Sequence, residues 1–233
     1  MVDTPTGTKK LKAIGTQGFR RVIFGILDDQ ENVTKVVSIG EDSGGAVELK
    51  TSGFSGQMNV TYASNIAYYV SNAGTGTGKI ELTAMELPSD VSTEILGDEV
   101  NEDAVYMTKS DVHQPYVAII GEAQDLNNNP MWIGIAKAKF ATTDAEDLKT
   151  GEDKGMTPGN VSLTGNAITR RKDKLVKTKA SNSNGTTLAQ FAKVVFPGFT
   201  GDLDDSTQTL DNEGHKTTDD SSTTPTTNEG ATA

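Results

Sequence analysis

The chain has 233 residues with 34% hydrophobic content, enough for one main core with appendages, and it has no cysteine, which excludes disulfides and thiolate chemistry. Its 32 acidic residues outnumber 21 basic ones, an unfavourable balance for a protein that grips phosphates, so tightly held polyanions are not expected as partners. Residues 1–12 are polar and Thr-rich with no signal-like apolar core, and the longest apolar runs, 22–27 and 116–120, fall far short of the roughly 20 residues that a membrane span needs.

In chain order, residues 1–12 read as a flexible arm and residues 13–200 as a single β domain built of short strands. Strands are expected at 20–27, 33–39, 46–50, 58–63 and 67–71, with Gly44-Gly45, the glycines at 53 and 56, and the stretch 72–78 as breakers. In the fourth of these, Met58, Val60 and Tyr62 alternate with Asn59 and Thr61, so one face should be buried and the other polar. Residues 79–87 alternate too. A short helix should follow Pro88 and Ser89, with Asp90 in its first turn, Leu87, Val91 and Ile95 on one face, and Gly97 as its stop.

Strands at 116–124 and 131–142 flank Asn127-Asn128-Asn129-Pro130, which reads as the turn of a hairpin. A second helix should start at a capping box of Thr187 and Gln190, present Leu188, Phe191, Ala192 and Val195 on one stripe, and end at Pro197-Gly198. Residues 201–233 hold eight acidic residues, one Lys, two Leu and no aromatic; so apolar-poor a segment is expected to be a disordered acidic Ser/Thr-rich tail.

No catalytic or ligand motif survives inspection. Gly74-Thr-Gly-Thr-Gly-Lys79 has the wrong spacing for a phosphate loop and Ile80 where a Ser or Thr is required, so it reads as a hairpin turn. His113 and His215 are the only histidines, the second in the acidic tail, which leaves no His-rich metal site and no His-based triad. Asp202, Asp204 and Asp205 lack the glycine and distal glutamate of a calcium loop. Arg170-Arg171-Lys172 reads as a solvated basic turn that could meet an acidic patch on a neighbouring copy. No catalytic residue, cofactor site or metal site is expected.

Several segments, taken in order, carry a resemblance: Tyr62-Ala-Ser-Asn65 followed by Tyr68-Tyr-Val70, Glu86-Leu-Pro-Ser-Asp-Val91 leading to Ile95-Leu-Gly-Asp98, and Pro115-Tyr-Val-Ala-Ile119. Trp132-Ile-Gly-Ile-Ala-Lys-Ala-Lys-Phe140, an acidic stretch at 144–154, Leu163-Thr-Gly-Asn-Ala167 with Arg170-Arg171, and Val195-Phe-Pro-Gly-Phe199 continue it. Residues 18–199 thus resemble the major tail tube protein family of long-tailed (siphovirus-type) bacteriophages of Gram-positive bacteria.

The resemblance implies a mainly β fold of two packed sheets, sandwich- or barrel-like, with one or two short flanking helices. It also implies an inner sheet continued between subunits in a hexameric ring, and rings stacked into the conduit for DNA ejection. Such a protein is a non-enzymatic virion component, assembled in the host bacterial cytoplasm with the tape measure protein and with tail initiator and terminator proteins. DNA passes through the lumen without tight binding. Residues 1–12 and 141–160, long and polar, are the expected inter-ring contacts. A neutral to acidic lumen is expected, with Glu41, Glu48 and Thr61 as candidate lining residues. The alternative is a β-sandwich glycan-binding or adhesin module, which usually presents aromatic platforms; Trp132, the one tryptophan, lies instead in an alternating strand with a core position open to it.

Overall fold

Residues 22–27 form an unbroken apolar run rather than an alternating one, the pattern of a strand covered on both faces. In the computed structural model, which describes residues 15–142, 159–203 and 209–211, this run is the heart of β1 (Gln17–Leu27), where Val22, Ile23 and Phe24 are all fully buried. β2 (Val33–Ile39) pairs with it on one side. After β3 (Ala46–Ser52), β4 (Gln57–Ala63), β5 (Ile66–Ala73) and β6 (Gly78–Ala84) comes helix α1 (Ser89–Val91), which continues as a π-helical turn over Ser92–Leu96. Gly97, in the left-handed region at φ 79°, ends this helix where expected, and Val91 and Ile95 are fully buried.

Two short strands, β7 (Glu99–Val100) and β8 (Tyr106–Met107), pair with each other. The longest strands follow: β9 (Tyr116–Gln124) and β10 (Pro130–Thr142), joined by the hairpin expected at the Asn cluster. β11 (Val161–Ala167) and β12 (Lys177–Ser181) both pair with β10, and helix α2 (Leu188–Val195) and a last strand, β13 (Thr209–Asp211), complete the order.

One nine-stranded antiparallel sheet runs β13-β2-β1-β9-β10-β11-β6-β3, with β12 attached to β10. The bend comes at an irregularity between Ile135 and Ala138: the first part of β10 pairs with β12 and the last part with β11, so one strand serves both layers. β3 then lies against β1. The space between the layers is filled by Phe24, Ile39, Ile80, Leu82, Ile119, Phe140 and their neighbours, with Val91, Ile95 and Leu96 of the first helix. A second core lies on the other side of β1, β2, β9 and β10, beneath α2: Ile23, Val36, Ile120 and Trp132 meet Phe191, Val195, Phe196 and Phe199. Gly134 makes this contact possible, since a Cβ there would lie 2.5 Å from the Val195 side chain. The molecule is therefore mainly β, two packed layers with two short helices.

One expectation changes. The stretch 74–77 is not a hairpin turn: β5 pairs with β4 and β6 pairs with β3, so it passes from one antiparallel pair to another. The tip of this longer hairpin is Ser64-Asn65, both at positive φ (52° and 62°), as a two-residue hairpin turn of the mirror-image kind requires. Beyond Thr200, Leu203 is buried in the second core and residues 209–211 pair with β2 at Val37, Val36 and Lys35.

Candidate assembly surface

The alternation in β4 is real, but among the described residues nothing buries its apolar face. Pleating puts Met58, Val60 and Tyr62 on one face of β4 and Asn59 and Thr61 on the other; Val60 pairs with Val70 and Thr61 with Tyr69 before the register shifts at Tyr62. Met58, Val60, Tyr62, Ile66, Tyr68, Tyr69 and Val70 of the ribbon are all exposed, from 39% at Val60 to 76% at Tyr68. Neither strand pairs with the main sheet. A two-stranded ribbon alone in water is marginally stable, and burying each of these side chains would contribute about 1.5–3 kcal/mol, so the ribbon has a strong drive towards a partner surface.

Its root is held firmly. Phe54 packs where a Cβ on Gly78 would lie, 2.3 Å from the ring, and Lys177 of β12 sits 4.9 Å above the same ring while donating to Thr51 Oγ1 at 2.7 Å. Burial, and then the charge of Lys179, pull the Lys177 amine below the ordinary lysine pKa. The ribbon therefore projects from an anchored base.

The signal that would have found this surface is one of charge. Residues 51–78 contain no Asp, Glu, Lys, Arg or His, in a chain where 23% of residues are charged. Exposed strands that must stay single usually carry charge as protection against edge-to-edge pairing. This ribbon carries none.

The expected lumen residues are not gathered at one spot. Glu41 lies in the turn after β2 beside Phe19, Arg20 and Ala46; Glu48 is on β3, 3.1 Å from Lys50; Thr61 is on the polar face of the ribbon. Glu48 does belong to an open face. The outward residues of β3, β6 and β11 align across strands as Glu48, Thr83 and Ser162; Lys50, Glu81 and Thr164; and Ser52, Lys79 and Asn166. This face is polar, and its two lysines balance its two glutamates. The expected inter-ring contacts at residues 1–12 lie outside the described residues, as does most of 141–160.

Other expected features resolve as structure. Trp132 is buried and stacked on Phe191 at 6.1 Å between ring centroids, so it presents no platform. Arg170, taken as part of a solvated turn, is 1% exposed and bonded to the end of α2. Among the described residues no helix is long and apolar enough to cross a membrane, and no group of three or more His, Cys, Asp or Glu could hold a metal ion.

A bent antiparallel sheet with an unprotected apolar ribbon is the build of a subunit made to associate. The family model of phage tail tube proteins matches residues 14–204, and the chain belongs to that family. It is a structural protein of the bacteriophage virion. No curated protein matches it.

Proposed function

We propose that the chain is the major tail tube subunit, closing into hexameric rings by continuing its sheet from copy to copy and stacking these rings into the conduit for DNA ejection. The observation that carries this reading is the β4–β5 ribbon, with seven large hydrophobic side chains exposed and no charge from residue 51 to residue 78. Among the described residues edge strand β3 has only β6 beside it and so offers a second row of backbone groups to a neighbouring copy. Contacts between different surfaces of identical subunits do not close on themselves along the stacking direction, which makes a filament rather than a finite cluster.

The balanced open face of β3, β6 and β11 is suited to a bore through which DNA slides without being held. The tape measure protein and the tail initiator and terminator proteins are the partners, no step is enzymatic, and no cofactor takes part. Negative-stain microscopy tests the reading: the purified protein should form rings or tubes at high concentration. A protein that stays monomeric at every salt and protein concentration would overturn it.

A further inference from the structure

Residues 98–114, the excursion that carries β7 and β8, hold five acids (Asp98, Glu99, Glu102, Asp103 and Asp111) against one lysine, Lys109, a net −4. Residues 1–200 together hold 24 acids against 20 bases, also −4, so the other positions up to 200 balance. Glu99 pairs with Lys109, whereas Glu102, Asp103 and Asp111 have no ion pair among the described residues. Val100 and Tyr106 stand opposite each other across the hairpin and are exposed, as is Val105. The turn at 171–174 has the reverse charge. Arg171, Lys172 and Lys174 are exposed there, and Arg170 ties the turn to the end of α2, where Lys193 and Val194 are exposed too. Lys172 Nζ donates to Asn32 Oδ1 at 3.0 Å, which brings in the β1–β2 turn with Asp28 and Asp29. Asp173 is paired with Arg170 and Glu31 with Lys137, so four cations face two acids and this surface keeps a net +2.

The excursion leaves from the helix that packs into the first core, and the turn is bonded to α2, which covers the second, so the two are rooted on opposite faces of the layer of β1 and β2. We infer that the β7–β8 excursion of one copy docks on the basic turn and α2 end of a neighbouring copy. This rests on the assembly reading above and goes beyond it by naming two surfaces that meet. Each brings exposed apolar residues, Val100, Val105 and Tyr106 on one side and Val194 on the other, beside charges of opposite net sign, and an apolar centre within a polar rim is the common build of a protein interface. Exposed ion pairs add little affinity each. What they supply is orientation, a faster encounter and the exclusion of wrong pairings, here of excursion against excursion or turn against turn. Two different surfaces of identical copies give a directional contact that repeats.

Charge exchange tests this, with assembly followed by sedimentation and negative-stain microscopy. Glu102→Lys with Asp103→Lys, and separately Arg171→Glu with Lys174→Glu, should each keep the wild-type melting temperature and raise the protein concentration needed for assembly at least about tenfold at low salt. All four changes in one chain should bring that concentration back to within about threefold of wild type, because the pairing is then restored with its signs exchanged. Should the turn reversal lower the melting temperature, Arg171→Gln with Lys174→Gln takes its place, with a smaller shift in the same direction expected. Failure of the fourfold variant to recover, or wild-type assembly by either reversal, would overturn the docking while leaving the tube reading intact. A loss from the turn reversal alone, with the excursion reversal assembling normally, is the result expected if another acidic segment, such as residues 204–233, fills the turn, and it too overturns the docking. Wild-type protein that never assembles would overturn both.

Discussion

Glu31 occupies the left-handed region at φ 63° in the turn between β1 and β2, an uncommon conformation for a long side chain, and it is nevertheless buried. What holds it there is a set of donors from distant parts of the chain: Lys137 Nζ at 2.7 Å, and the backbone N–H groups of Arg171 at 3.1 Å and Lys172 at 3.0 Å. Burial alone would raise its pKa, but the Lys137 ammonium and the two N–H groups outweigh it and hold the carboxylate at about 2. A depressed carboxylate pKa contributes stability at and above the pH where an unfolded glutamate ionises, roughly 4.3. That contribution is lost as the pH falls towards about 2. Glu31→Gln should therefore cost about 1–3 kcal/mol at neutral pH and flatten the acid limb of the stability curve, as followed by denaturant titration between pH 2 and 7. A variant with the wild-type acid limb would show that Glu31 carries none of the linkage. Nothing in the sequence pointed to this residue, because its partners lie 106 to 141 positions away.

Helix α2 shows where local sequence suffices and where it does not. Its start was legible: Thr187 accepts from the Gln190 N–H and the Gln190 side chain accepts from the Thr187 N–H, the expected capping box. The stripe of Phe191, Ala192 and Val195 was legible as well, and all three are buried. Its end was not. The last carbonyls of a helix lack partners within it, and here Arg170, 24 to 25 residues earlier, donates to Val194 O and Val195 O at 2.7 Å each, while Asp173 Oδ2 accepts from its Nη2 at 2.6 Å. The Arg170 guanidinium beside Asp173 in turn lowers that carboxyl's pKa. Three consecutive basic residues thus have unlike roles that periodicity cannot separate. Arg170→Ala should destabilise the fold by about 2–4 kcal/mol, through an emptied buried site and two orphaned carbonyls, and Arg171→Ala, whose side chain is exposed, by less than about 0.5 kcal/mol. Thermal melts of the pair check this, and equal effects would contradict the assignment.

The strands tell the same story. Residues 33–39 and 116–124 were bounded correctly by pattern alone, whereas the partner of β6 was not, because pairing depends on register across the whole sheet rather than on the segment's own residues. The ribbon is the instructive case: alternation correctly identified an apolar face on β4 but carried no information about which molecule covers it.

At the scale of the whole molecule the formal charge of −11 misleads, because residues 201–233 account for −7 of it (one Lys against eight Asp and Glu) and leave −4 for the remaining 200 positions. In a tube of the proposed kind, what passing DNA would meet is set by a face, not by the sum. The layer holding β1, β2 and β9 is covered by α2 on its far side, whereas β3, β6 and β11 leave one polar face open. On it Lys50 stands across from Glu81 and contacts Glu48, and Lys79 lies between Ser52 and Asn166, so the two lysines and two glutamates of these three strands sum to zero. Binding DNA requires uncompensated cations that displace counterions from phosphates, with log K falling by about 0.9 per neutralised phosphate for each unit of log salt. If this face lines the bore, assembled wild-type tubes should not retain DNA even at low salt. Glu48→Lys with Glu81→Lys would turn two lysines and two glutamates into four lysines, and such tubes should retard DNA at low salt and release it as salt rises. Electrophoretic retardation of short duplexes, read across a salt series, is the measurement. Retention by wild-type tubes, or none by the double variant, would show that the bore is built from some other face.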